Sequence, residues 1–167
     1  ELFPGELTYD ALFSVKTEWN WVDDVVFWDA LDFIGCSLYV QLDVPDTASV
    51  AEIKKAWSDR SGGKVGSVTD TLSKIAKRYG KMVMALEAGY PSVEKGLHDF
   101  NQSPSPGKKQ DMELQARGIE AMLSILYENK GNWLRGISLW DLTPNSLTPE
   151  ALGSIWHTQA MSVYGKP

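Results

Sequence analysis

The chain has 167 residues, 43% of them hydrophobic and 23% charged, which excludes a disordered chain and fits one globular domain with a real core. A formal charge of −6 argues against nucleic acid as a partner, because phosphate binding calls for a basic face. No apolar stretch is long enough to cross a bilayer, so no membrane partner is expected.

Residues 7–14 (LTYDALFS) alternate loosely between apolar and polar and read as a first strand. Residues 21–32 (WVDDVVFWDALD) read as a short amphipathic helix before a second strand, 33–42 (FIGCSLYVQL). In 49–57 (SVAEIKKAW), Ser49 followed three residues on by Glu52 is a capping-box signature for a helix start. Residues 67–80 (SVTDTLSKIAKRYG) place Val68, Leu72, Ile75 and Tyr79 on one helical face and stop at Gly80. A third strand, 81–88 (KMVMALEA), runs apolar up to Glu87 and then meets Gly89 and Pro91, which force a turn. Residues 110–132 form the longest helix pattern, again ending on a glycine, and 134–142 (LRGISLWDL) the fourth strand. A last helix spans 148–165, with Thr148 as N-cap and Pro149 at its first position.

Strands alternating with helices predict an α/β fold with a parallel sheet. The near-continuous apolar character of the later strands predicts burial on both faces. The Ser/Pro/Gly-rich segment 93–110 is too long for a simple connection and reads as a functional or mobile loop. The whole chain, 1–167, reads as a single unit without an internal linker. The lone cysteine, Cys36, sits in an apolar run and reads as a small core residue. No leader pattern opens the chain, and a start on Glu1 is compatible with a processed, secreted form.

In parallel α/β folds, chemistry gathers at the C-terminal ends of the strands. Glu18, Trp19 and Trp21 follow the first strand, and Tyr39 and Gln41 end the second. Glu87 ends the third with Tyr90 following, and Trp140 and Asp141 end the fourth. A carboxylate among aromatic rings and hydrogen-bonding groups suits a carbohydrate, with faces for stacking and a carboxylate for the anomeric carbon. Each residue also has a plainer use. A strand-end carboxylate often caps a helix or pairs with a lysine, but the apolar run before Glu87 would partly desolvate it. Tyr39 alone reads as packing, Trp140 as packing or platform, and Asp141 as a turn cap before Pro144. The two histidines, His98 and His157, are dispersed, so no metal or other cofactor is expected. The glycine-rich 61–67 (SGGKVGS) follows no strand and makes a weak phosphate loop, and no Gly-x-Ser-x-Gly elbow is present.

LTYDALFS, FWDALDFIGCSLYVQL, EIKKAW, KRYGKMVMALEAGYPSV, Gln115 and GISLWD together resemble the C-terminal half of glycoside hydrolase family 113. That family consists of (β/α)8 barrels similar to the wider clan of retaining glycosidases that includes β-mannanases. The resemblance implies that the four strands correspond to strands five to eight of a TIM barrel. It implies Glu87 as the nucleophile, Tyr39 as a hydrogen-bond partner of that nucleophile, and Trp140 as the floor under the sugar being cleaved. The strand-end positions, independently of the resemblance, add Trp19, Tyr90 and Gln41 as expected substrate contacts. The chain departs from the family pattern at Ser37, where an aspartate is usual, at Gln41, where a proline is usual, and at Leu86, where threonine or a similar residue is usual.

A complete barrel takes about 250 residues. The expected partners are therefore an oligosaccharide or polysaccharide substrate and either an N-terminal half barrel or a second copy of this chain. The acid/base carboxyl of such enzymes ends strand four, outside this sequence, and a retaining pair needs two carboxyls about 5 to 5.5 Å apart. Glu18 is the nearest substitute within the chain, and its spacing does not recommend it. Two readings follow: the catalytic half of a retaining glycosidase, inactive by itself, or a non-catalytic half barrel with a structural or carbohydrate-binding role. A generic open α/β domain of flavodoxin type is a third, and it lacks a ligand-binding loop.

Overall fold

The computed structural model describes residues 4–13, 21–59, 67–99 and 108–140. Four strands, β1 (Asp10–Phe13), β2 (Ile34–Leu38), β3 (Val83–Ala88) and β4 (Leu134–Leu139), form one sheet in the order β1-β2-β3-β4. Every neighbouring pair is parallel. Sequential order with helical crossovers is one half of a (β/α)8 cylinder cut along two edges.

The helices are α1 (Trp21–Asp24), α2 (Val50–Ser58), α3 (Val68–Tyr79) and α4 (Met112–Glu128). The caps read from the sequence are formed. Ser49 and Glu52 make the reciprocal capping box of α2; at the start of α3 the Ser67 hydroxyl, a cap not singled out in the sequence, accepts from the Asp70 amide. Gly80 ends α3 at φ 63, a left-handed position where a side chain would be strained.

Two helix expectations are corrected. Residues 21–32 do not form one helix: α1 makes a single turn, and a 3₁₀ turn (Trp28–Ala30) follows separately. The indole N–H of Trp28 donates to the Val22 carbonyl at 2.9 Å, and the β-branched pair Val25 and Val26 weakens continuation. The α4 helix ends at Glu128, capped by Asn129 and not by a glycine, and Gly131 serves the following turn at φ 83. The predicted final helix, 148–165, and the glycine-rich 61–66 lie outside the described residues.

One face of β1, β2 and β3 is covered. Ala11 and Phe13 of β1, Ile34, Cys36 and Leu38 of β2, and Val83, Ala85 and Ala88 of β3 are buried against the helices. The helices supply Ile53 and Trp57, Leu72 and Ile75, and Leu114, Ile119 and Met122 to the same cluster. Each such large side chain contributes about 1.5–3 kcal/mol relative to exposure. The expectation of burial on both faces holds for β2, all five of whose residues are buried, and is corrected for its neighbours: Leu12, Met84, Leu86 and Glu87, on the opposite face, are only half-buried. The apolar runs are nonetheless real, because in a closed barrel that face turns inward onto the remaining strands.

The Trp-Asp-x-Leu-Asp-x-Ile-Gly stretch fastens the entry to β2. Asp32 accepts from the Leu7 amide at 2.7 Å and its own amide donates to the Leu7 carbonyl at 2.9 Å. The Lys81 ammonium reaches the carbonyls of Asp29 and Leu31. At Gly35 a Cβ would sit 2.6 Å from the Tyr9 carbonyl oxygen and 2.7 Å from Leu86 Cδ1, so the close approach of β1 to β2 requires glycine there.

Candidate active site

The ladder between β2 and β3 is irregular, and the irregularity builds the site. Cys36 pairs with Ala85, but Ser37 pairs with Glu87, so Leu86 is an extra residue bulged into β3. Bulges re-aim side chains and concentrate beside functional sites. Here Leu86 falls against Gly35 on the uncovered face, and Glu87 comes onto that same face directly across from Ser37.

The next residue on that face is Tyr39, one position past the end of β2. Its amide donates to the Phe13 carbonyl at 3.2 Å, which keeps it tied to the end of β1. Its phenol donates to Oε2 of Glu87 at 2.8 Å, within the range of a charge-assisted bond. Ser37 Oγ lies 3.3 Å from the same Oε2 and 2.7 Å from Oδ2 of Asp10 on β1. Both contacts fall on Oε2 of Glu87, so the carboxylate is held through one of its two oxygens.

Trp140 stands one residue past β4. Its amide donates to the Ala88 carbonyl at 2.9 Å, which sets the indole beside the end of β3. Leu139 pairs with Ala88, so Ser138 and Trp140 alternate onto the Glu87 face. Trp140 is 56% exposed, a large apolar plate at the rim among the described residues. Gly89 permits this, since a Cβ there would run into the Trp140 carbonyl.

The remaining expected site residues divide. Gln41 is half-buried in the segment after β2, between buried Val40 and Leu42, whose amide is fixed to the Leu97 carbonyl at 2.8 Å. Tyr90 is not at the rim: it is 2% exposed, its ring lies against Gly118 of α4, and its hydroxyl accepts from the Trp57 indole at 3.2 Å. Desolvation pushes its phenol well above the ordinary tyrosine value, and its carbonyl accepts from Gln115 Nε2 at 2.9 Å. Tyr90 therefore locks the turn after Glu87 onto the helices and offers no surface to a substrate. Trp19 lies outside the described residues, as do Glu18, Asp141 and His157, and Trp21 opens α1. His98 is exposed on the loop after β3, 3.9 Å from Asp43.

Asp10 was passed over in the sequence, where it is one polar residue in a loosely alternating strand. Its contact with Ser37 becomes visible only through the β1–β2 register, in which Asp10 pairs with Gly35, two residues before Ser37. Among the described residues no three His, Cys, Asp or Glu side chains converge as a metal site would need, and no helix is long and apolar enough to cross a membrane. An anchored carboxylate beside an exposed indole at the carboxyl ends of parallel strands can attack an electrophilic carbon while an apolar ring face stacks on the plate.

The sequence profile of Glycoside Hydrolase Family 113 matches residues 1–166. Two solved structures described as GH113 β-1,4-mannanase, one of them a complex, superpose with a TM-score of 0.65 at 20% and 21% identity. A GH113 β-mannanase from Alicyclobacillus acidocaldarius in complex with ManMIm superposes with a TM-score of 0.61 at 25% identity. Each comparison covers 96% of this chain and 44% of the other, so the chain spans less than half the length of these structures. No curated protein matches the chain significantly.

Proposed function

From the premise that this chain belongs to Glycoside Hydrolase Family 113, we propose that it is the nucleophile-bearing half of a retaining glycoside hydrolase acting on β-linked glycans of the β-mannan type. The observation that carries the reading is the Glu87 carboxylate, held at the carboxyl end of β3 by the Tyr39 phenol at 2.8 Å. The four strands take the place of strands five to eight. In that frame Oε1 of Glu87 attacks the anomeric carbon, the glycosidic C–O bond breaks, and a glycosyl ester forms on the carboxylate. The leaving oxygen takes a proton from a carboxylic acid on strands outside this chain, and that same group then activates water to hydrolyse the ester. Trp140 stacks beneath the sugar at the cleavage point, and Gln41 lies along the same rim.

The uncovered face of the sheet supports a completing half. The half-buried Leu12, Met84 and Leu86 point to where the other strands of a closed barrel would pack, and among the described residues β1 and β4 are the edge strands. The completing strands come from an N-terminal half in preference to a second copy, because a second copy repeats the nucleophile strand without adding an acid/base strand.

The test is hydrolysis of β-1,4-mannan oligosaccharides by the complete protein that carries this chain, with and without Glu87→Gln. Loss of about 10⁴-fold or more in kcat is expected for removal of a nucleophile. Activity within a few fold of normal would overturn the assignment. A second reading, a half barrel that holds glycans without cleaving them, draws on the exposed plate of Trp140, which can stack on a sugar with no acid/base at hand. Saturable oligosaccharide binding by a complete protein with no hydrolysis would select it.

A further inference from the structure

Asp10, Ser37 and Glu87 lie in a line across three adjacent strands, and the serine hydroxyl in the middle has one proton to give. Ser37 Oγ is 2.7 Å from Asp10 Oδ2 and 3.3 Å from Glu87 Oε2. The first distance is that of an O–H donor to a carboxylate, and the second lies beyond it. The proton therefore goes to Asp10, and the serine oxygen is presented to Glu87 as a fixed polar wall. Ser37 is 8% exposed, so its hydroxyl is largely shielded from water. The groups facing Glu87 from the neighbouring elements are Asp10 through Ser37, the Tyr39 phenol, and from β4 the uncharged Ser138 and Trp140.

We propose that Asp10 and Ser37 are positioning residues that act as one unit to set the orientation of the Glu87 carboxylate. The inference rests on the reading of Glu87 as nucleophile. Without Asp10, the Ser37 hydroxyl turns and competes with Tyr39 for Oε2, pulling the carboxylate toward β1 and turning Oε1 from the line of attack. Without Ser37, the wall is lost and the carboxylate rocks about its bond to Tyr39. Either change harms an in-line displacement, whose rate depends on the attacking atom being within a fraction of an ångström of its productive place.

The probe is 2-deoxy-2-fluoro-β-mannosyl fluoride, whose fluoride leaves without acid assistance as the Glu87–C1 ester bond forms. Its reaction with the complete protein is followed by intact mass, and the labelled peptide is identified. Asp10→Ala and Ser37→Ala are each expected to slow the first-order labelling step about tenfold with little change in the half-saturating probe concentration. The double variant should be no slower than the slower single, because residues that act as one unit are non-additive. Ser37→Thr, which keeps the hydroxyl, should stay within about threefold of normal. Additive losses, an unchanged labelling step, or an effect confined to probe binding would overturn the proposal. Asp10 is not part of the hydrophobic core, so Asp10→Ala remains a usable test even if Ser37→Ala is poorly folded. Label on a residue other than Glu87 in the unaltered protein would sink the nucleophile reading and the proposal with it. Label on Glu87 with additive losses sinks the proposal alone.

Discussion

The phenol of Tyr39 and the carboxylate of Glu87 meet at 2.8 Å although they are 48 residues apart in the chain. Two strands and a bulge achieve this. Tyr39 extends past β2 while its amide remains on β1, and the extra Leu86 advances Glu87 by one position so that it lands across from Ser37. A hydrogen bond to a charged group contributes about 1.5–3 kcal/mol. Tyr39→Phe should therefore lower kcat/KM by about 10- to 150-fold in the complete protein, with the loss mainly in kcat. Unchanged kinetics would show that the bond does not matter in the transition state.

Gly89 separates Glu87 from the turn at Pro91 and lies against the Trp140 backbone. A Cβ at Gly89 has no room before the Trp140 carbonyl, whereas a Cβ at Gly136 meets no atom within 4 Å. Gly89→Ala should displace the end of β4, costing about 1–3 kcal/mol by overpacking and weakening mannan-oligosaccharide binding. Gly136→Ala should do neither. Thermal unfolding and a tryptophan-fluorescence titration of the complete protein read the two effects, and equal behaviour of the two variants would refute the steric argument.

Local rules made much of the fold legible. The Ser49–Glu52 pair and the glycine at 80 mark helix ends by chemistry that acts over four residues. Glu87 stood out because a carboxylate closing an apolar run before Gly and Pro has few structural uses. Features that depend on register were not legible. The bulge at Leu86 leaves no mark in composition, and Asp10 joins Glu87 only through Ser37 on an intervening strand. Tyr39 and Tyr90 looked alike as aromatic residues at strand ends. Only the packing separates them: one reaches Glu87, while the other turns to Trp57 and Gly118. The helix expected over 21–32 failed because amphipathic spacing does not show that an indole will take a helix carbonyl.

The capping box of α2 gives a pH-dependent contribution to stability. The hydrogen bonds from the Ser49 amide and hydroxyl hold the Glu52 carboxyl below its ordinary value of 4.5. A depressed folded-state value means that the contribution is complete above 4.5 and is lost as pH falls through the lowered value. Glu52→Gln should therefore be less stable than the unaltered protein at neutral pH, and the gap should close as the solution is acidified below 4.5. Denaturant titrations at several pH values measure it, and a gap independent of pH would refute the role of the charge.

Cys36 gives the opposite slope at high pH. Its side chain is fully buried between the sheet and the helices, and desolvation, with a smaller repulsion from Asp10, pushes the thiol up from 9.0 to about 12. Above 9.0 the unfolded chain releases this proton while the folded chain keeps it until about 12, so the contribution present below 9.0 declines across that window. Cys36→Ala removes that portion of the alkaline slope, although it also leaves a small cavity that lowers stability at every pH. The same burial should make the thiol unreactive in the native protein at pH 8, because a thiolate is needed for attack and water has no path to it. Labelling by iodoacetamide should appear only once denaturant unfolds the domain, tracking the unfolding curve. Prompt labelling under native conditions would mean that the β1–β2 face against the helices opens far more readily than its packing indicates.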